Sequence, residues 1–196
     1  MAAKQDLPVL AFPSRQAWAG WLDEHHESSS GIWLKFAKKG SGIESVSHAE
    51  ALEEALRHGW IDGQAAKFDE DHWLQRFTPR RPRSRWSRIN RDKATELIER
   101  GDMKPAGLRQ VELARADGRW DAAYEAQSTA TVPDDLQREL DRHPAAREAF
   151  AALDSRNRYA ILYRIQDARR PETRAGRIRR YVAMLEGGET IHPRRS

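Results

Sequence analysis

The sequence reads as an α+β protein: a small sheet in the order β-α-β-α-β-β with helices, followed by an all-helical C-terminal module. Three observations predict it. Short stretches of alternating apolar residues mark strands within the first 80 positions, capped helical stripes lie between them, and from Thr131 onward only helical spacing remains. The expected boundaries are 1–125 for the α+β domain and 126–196 for the helical module.

Val9–Phe12 is a short apolar strand ended by Pro13. Ser14 then supplies an N-cap, and Ala17, Trp18, Trp21, Leu22 and His25 follow at helical spacing. After a loop, Ile32, Leu34 and Phe36 alternate with Trp33, Lys35 and Ala37, the period of a strand. KKGSG is a flexible basic turn. Ser47 with Glu50 forms a capping box, Ala49, Leu52 and Leu56 give a second helix its buried face, and Gly59 stops it. Trp60–Phe68 and His72–Thr78 read as a hairpin joined through Asp69-Glu70-Asp71. Pro79 and Pro82 break regular structure. Ser87 or Asn90 can cap a helix carrying Ala94, Leu97 and Ile98, and Pro105 opens another with Leu108, Val111 and Ala114. Gly118 to Val132 has the small polar composition of a linker.

In the C-terminal module four stripes follow: Leu136 and Leu140; Ala146, Phe150 and Leu153; Tyr159, Leu162 and Ile165; and Ile178, Tyr181, Val182 and Leu185. The tail from Glu189 is expected to fray.

Composition narrows the function classes. Hydrophobic residues make up 39% of the 196, with seven tryptophans, enough for a packed interior despite 33% charged. No apolar run reaches the roughly 18 residues of a membrane span, and the N-terminus shows no secretory h-region. The absence of cysteine excludes disulfides, thiol nucleophiles and thiolate metal sites, and a cytoplasmic protein is the simplest reading.

The net charge of +4 hides a polarised distribution. Residues 1–125 carry twenty basic and twenty acidic groups, yet Arg76 to Arg91 alone holds seven arginines and no carboxylate. A stretch so dense in one sign repels itself unless an anion or another part of the chain neutralises it. Arginine outnumbers lysine 27 to 7, from codon bias or from selection for bidentate anion contacts.

Several stretches together resemble the YdeI/OmpD-associated, or bacteriocin-protection, family. They are FPSRQAWAGWLDEHH, GIWLKFAKKGSG, ALRHGWIDGQ, FTPRRPRSRWSRIN, ERGDMKPAGLRQVELARADGRWDAAY and VPDDLQREL with HPAAREAF and ILYRIQDARRPETRAGRI, in the family's order. The resemblance implies a role in bacterial resistance to cationic antimicrobial peptides or bacteriocins, in association with outer-membrane proteins, and a non-catalytic protein is the favoured reading. It carries over no catalytic residue.

The candidate ligand-binding residues are Trp60, Asp62, Arg80, Arg81, Arg83, Arg85, Trp86 and Asn90. In the first reading they form an anion-binding pocket between the arginine loop and the WIDG strand, with Trp60, Trp73 and Trp86 as apolar walls and Asp62 orienting a donor. A partner protein could use the same Arg and Trp residues. A second reading is nucleic acid, with Trp86 stacking and Ser84, Ser87 and Asn90 donating to phosphates, although no RNP, KH or zinc-finger signature is present. A third is an enzyme acting on an anionic substrate, with Asp62, His58 and His72 as acid or base. Against all three stands a structural role, in which the arginines pair with internal carboxylates and the tryptophans are core. No cofactor is expected, and no histidine pair has metal-ligand spacing. A second arginine group, Arg169, Arg170, Arg174, Arg177, Arg179 and Arg180, lies on the last helix opposite its apolar stripe, either a solvated face or part of a wider basic surface.

Overall fold

The structure, a computed structural model, describes residues 7–125 and 129–193. It divides into two compact units. One holds the chain up to Trp86 together with Asn90–Ala123; the other holds Ser87–Ile89 and the chain from Tyr124.

In the first unit β1 (Val9–Ala11), α1 (Arg15–His25), β2 (Ile32–Ala37), α2 (His48–Arg57), β3 (Trp60–Lys67) and β4 (His72–Pro79) follow in the expected order. The four strands form a mixed sheet in the order β1-β2-β4-β3, with β1 parallel to β2 and the other pairs antiparallel. Both helix starts are made as the sequence dictates. Ser14 Oγ accepts from Ala17 N–H, and Ser47 and Glu50 close a reciprocal capping box. One sheet face is covered: Ile32, Leu34, Phe36, Trp60 and Phe77 pack on Trp18 and Leu22 of α1 and Ala51 and Ala55 of α2. Trp18 is fully buried, lies against Trp21, Phe77, Phe12 and Trp60, and donates its Nε1–H to Ala51 O at 3.1 Å.

A second apolar layer lies on the other side of α2. Leu52 and Leu56 meet Ala94 and Leu97 of α3 (Arg88–Glu99), Val111 and Ala114 of α4 (Pro105–Ala116), and Trp86 and Trp120. Trp120 and Ala123 are therefore core, although Gly118–Val132 has the composition of a linker. Composition alone cannot register that one indole anchors a polar stretch. The α2–α4 approach is close because of glycine: a Cβ at Gly107 would strike the backbone carbonyls of Leu56 and Arg57.

Charge taken out of water here is paired, as desolvation requires. Glu54 is buried and accepts from Arg15 Nε at 2.7 Å and from Arg57 Nη1 at 2.8 and 2.9 Å. The buried His58 ring meets, at its Nε2, the half-exposed carboxylate of Asp23 at 2.9 Å, which Lys104 Nζ also approaches at 3.0 Å.

The second unit is a helical bundle: α5 (Asp134–Arg142), α6 (Pro144–Ala151), α7 (Ser155–Gln166) and α8 (Pro171–Glu186). Leu136, Leu140, Phe150, Ile161, Ile165, Ile178, Val182 and Leu185 fill its interior, the stripes read from the sequence. Its tail does not fray as far as Pro193: buried Asn157 receives the N–H of His192 and donates to its carbonyl. Residues 126–128 of the expected linker and the last three of the tail lie outside the described residues. Among the described residues no helix is long and apolar enough to cross a membrane.

Two ion contacts, Asp23 with His58 and Lys104 in the first unit and Asp135 with Arg174 in the second, set an acid limit. Asp23 is held below the usual carboxylate range by hydrogen bonding to His58 and then Lys104, and Asp135 by its bidentate bond to Arg174. A lowered folded-state value means the unfolded chain binds protons more readily. Stability from these groups is complete above the unfolded carboxylate value near 4 and is lost as pH falls through the folded values. The expected melting temperature is flat from about pH 7 to about pH 5 and falls below about pH 4. Asp135→Asn should make the acid fall shallower while lowering the plateau; an unchanged pH profile in circular dichroism melts would show that the pair contributes nothing.

Candidate functional site

The WIDG segment opens β3, and its geometry is set by a bulge. Asp62 pairs with Phe77 and Ala65 with Gln75, so Gly63 and Gln64 together face Arg76 alone. The buried side-chain amide of Gln75 donates to Gly63 O at 2.7 Å, satisfying a carbonyl at the bulge. Because Gly63 has no side chain, the Arg76 guanidinium lies over it: a Cβ there would sit 3.4 Å from Arg76 Nε.

Strand alternation then separates what the sequence lists together. Trp60 and Asp62 point to the helix-covered face with Phe77. Trp60 is 1% exposed, stands edge-on to Trp18 and Trp21, and donates its Nε1–H to His26 O at 3.0 Å. Asp62 is half-buried with Oδ2 3.7 Å from His48 Nε2. Arg76 points to the opposite face, where its cross-strand neighbour is Trp33 and Lys35 is one step further along β2.

The loop after β4 is tightly built. Arg80 N–H donates to Gly59 O at 3.0 Å, and its guanidinium, 6% exposed, stacks 3.4 Å above the Trp86 ring while Nη1 donates to Arg85 O. Trp86 is buried edge-on against Trp120. Arg81 and Ser84 close a turn, with Ser84 N–H donating to Arg81 O and Arg81 N–H to Ser84 Oγ. Arg119, itself bonded to Asp117, donates to Ser84 O at 2.8 Å and ties the turn down.

The seven arginines therefore have different fates. Arg80 is a buried stacking partner, Arg85 is half-buried, Arg88 pairs with Glu125 at 2.8 Å and Arg91 with Asp92 at 3.1 Å. Arg76, Arg81 and Arg83 are exposed, and among the described residues no carboxylate comes within ion-pair distance of them. Asn90 is buried at the start of α3. Of the eight residues expected to bind a ligand, only Arg81 and Arg83 are freely exposed.

Arg76 belongs to the arginine run that the sequence singles out but is not among the eight candidates, and His48 and Arg119 are not singled out at all. Arg76 was legible in principle, since it alternates with Phe77. His48 follows the Ser47 cap, but nothing local links it to Asp62. It borders a recess of about 370 Å³ formed by the Lys38–Gly42 loop, Ser45, Ser47 and the stacked Phe36–Trp73 pair. Among the described residues no three histidine, aspartate or glutamate side chains converge as a metal ion would need.

The fold and this loop define a two-unit α+β protein whose sheet and following turn carry exposed guanidinium groups with no carboxylate in ion-pair distance among the described residues. The chain belongs to the family described as a domain of unknown function (DUF8412), whose model matches residues 10–110, and its residues 129–188 match the model described as Bacteriocin-protection, YdeI or OmpD-Associated. The second match is the family that the sequence motifs resemble. No curated protein and no solved structure gave a match.

Proposed function

We propose that this chain is a non-catalytic bacterial stress or antimicrobial-resistance protein of the bacteriocin-protection type, whose first unit holds an anionic ligand on Arg76, Arg81 and Arg83. The observation that carries the reading is their exposure without a carboxylate in reach, on a strand and turn otherwise fully tied down. Arginine forks suit phosphate and carboxylate oxygens, and anionic groups met along the strand and the turn relieve the repulsion within so dense a run of one charge. Trp33, beside Arg76 on the same sheet face, offers an apolar neighbour for the ligand's body.

The test titrates the full chain with pyrophosphate and with a single-stranded oligonucleotide. The variant R76A/R81A/R83A is expected to lose about ten-fold or more in affinity, as loss of charge-assisted bonds implies, with little change in melting temperature. A variant that unfolds early would make the three arginines structural clamps. Oligonucleotide affinity falling steeply with salt while pyrophosphate fails to bind would move the reading to nucleic acid.

A second reading, an enzyme acting on an anionic substrate, is favoured by one observation: the His48–Asp62 pair beside the Trp73 recess. It requires turnover abolished by His48→Ala and retained in R76A/R81A/R83A.

A further inference from the structure

The second unit holds a cationic recess that the first unit's edge does not explain. Helices α5 and α8 run side by side in the same direction: Asp135, in the first turn of α5, is bonded to Arg174 near the start of α8, while His143, just past α5, meets Glu186 at the end of α8. Between these two clasps a recess of about 500 Å³ opens, with Arg138 and Arg142 on the α5 rim, Arg174 and Arg179 on the α8 rim, and Ile178 at its floor. The two carboxylates that also line it are already engaged. Asp135 takes Arg174 through both oxygens, at 2.6 and 2.8 Å, and Glu139 takes Arg142 at 3.1 Å. Arg138 and Arg179 remain exposed, and among the described residues neither has a carboxylate within ion-pair distance.

We propose that this recess binds a soluble phosphomonoester, the phosphate held between the guanidiniums of Arg138 and Arg179 and the organic part resting on Pro171, Ala175 and Ile178. Two forks from opposite rims suit a tetrahedral dianion, which presents terminal oxygens to both sides at once. A lone carboxylate is planar and is satisfied by one fork, as Asp135 is by Arg174. The volume exceeds that of inorganic phosphate and leaves room for a small organic group. Arg174, saturated by Asp135 and by Ile165 O, acts as a positioning residue that fixes the spacing of the two helices.

The experiment uses the full chain carrying R76A/R81A/R83A, so that failure of the first-unit reading does not affect the outcome. Calorimetric titration with glycerol 3-phosphate is compared with inorganic phosphate and with phosphatidic acid vesicles. Glycerol 3-phosphate is expected to bind more tightly than inorganic phosphate. Arg138→Ala and Arg179→Ala should each weaken it about ten-fold, and Arg179→Lys should weaken it too, because lysine keeps the charge and loses the fork. Arg169→Ala, an equal change of charge outside the recess, should stay within about two-fold. No binding by the soluble phosphates, binding to vesicles alone, or an equal loss in Arg169→Ala would each overturn the proposal.

Discussion

Replacing Trp18 with alanine is expected to cost about 4 kcal/mol, the largest single loss in the first unit. The ring is fully buried and touches Phe12, Trp21, Trp60 and Phe77, so its removal leaves a cavity bounded by a rigid sheet and by α2. It also strips Ala51 O of its indole donor, adding the penalty of an unpaired buried carbonyl. Trp18→Phe keeps most of the volume and should cost about half as much. Urea unfolding resolves the effect cleanly, because all seven tryptophans lie in the first unit and all four tyrosines in the second. Indole fluorescence should report an earlier midpoint while the tyrosine-bearing unit keeps its own. A loss below about 1 kcal/mol would mean that the core is not organised on this ring.

Gly107→Ala should destabilise by about 2 kcal/mol, opposite in sign to the usual helix preference for alanine. The added methyl would meet Leu56 O at 2.7 Å and Met103 Sδ at 2.5 Å, besides Arg57 O. Methionine can yield, whereas the carbonyls closing α2 cannot, so α4 must back away. A Cβ at Gly59, which sits at φ +74°, would likewise strike Ala106 O at 2.8 Å, so glycine is required on both sides of the approach. The comparison is Gly176→Ala in α8 and Gly20→Ala in α1, where an added methyl meets nothing within 4 Å. Those two should stabilise by about 0.5–1 kcal/mol. Equal effects at all three positions would contradict the close α2–α4 approach.

The α+β class and the order of elements were legible because they rest on local periods. Ile32, Leu34 and Phe36 declare a strand, and Ser47 with Glu50 declares a helix start, without reference to anything distant. The arginine cluster is different in kind. Its density is visible in the sequence, but what fixes the surroundings of several of its guanidiniums lies far along the chain. Arg80 is taken inward by Trp86, which is itself fixed by Trp120, and Arg88 is met by Glu125. Arg76 stays outside because a two-residue bulge and a glycine on the neighbouring strand leave it a flat seat. Asp62 lies four residues after His58, yet its neighbour is His48, across the α2–β3 packing. Pairings of this sort are long-range, and no window of sequence contains them.

The path of the backbone has a consequence for any attempt to take the molecule apart. The chain leaves the first unit after Trp86, lends three residues to the second, returns at Asn90, and departs for good after Ala123. A gene fragment beginning at Tyr124 would therefore lack the loaned tripeptide, whose Arg88 supplies an N–H to Tyr124 O at 2.8 Å and a guanidinium to Glu125. No single cut of the chain therefore leaves each unit with all of the residues it comprises.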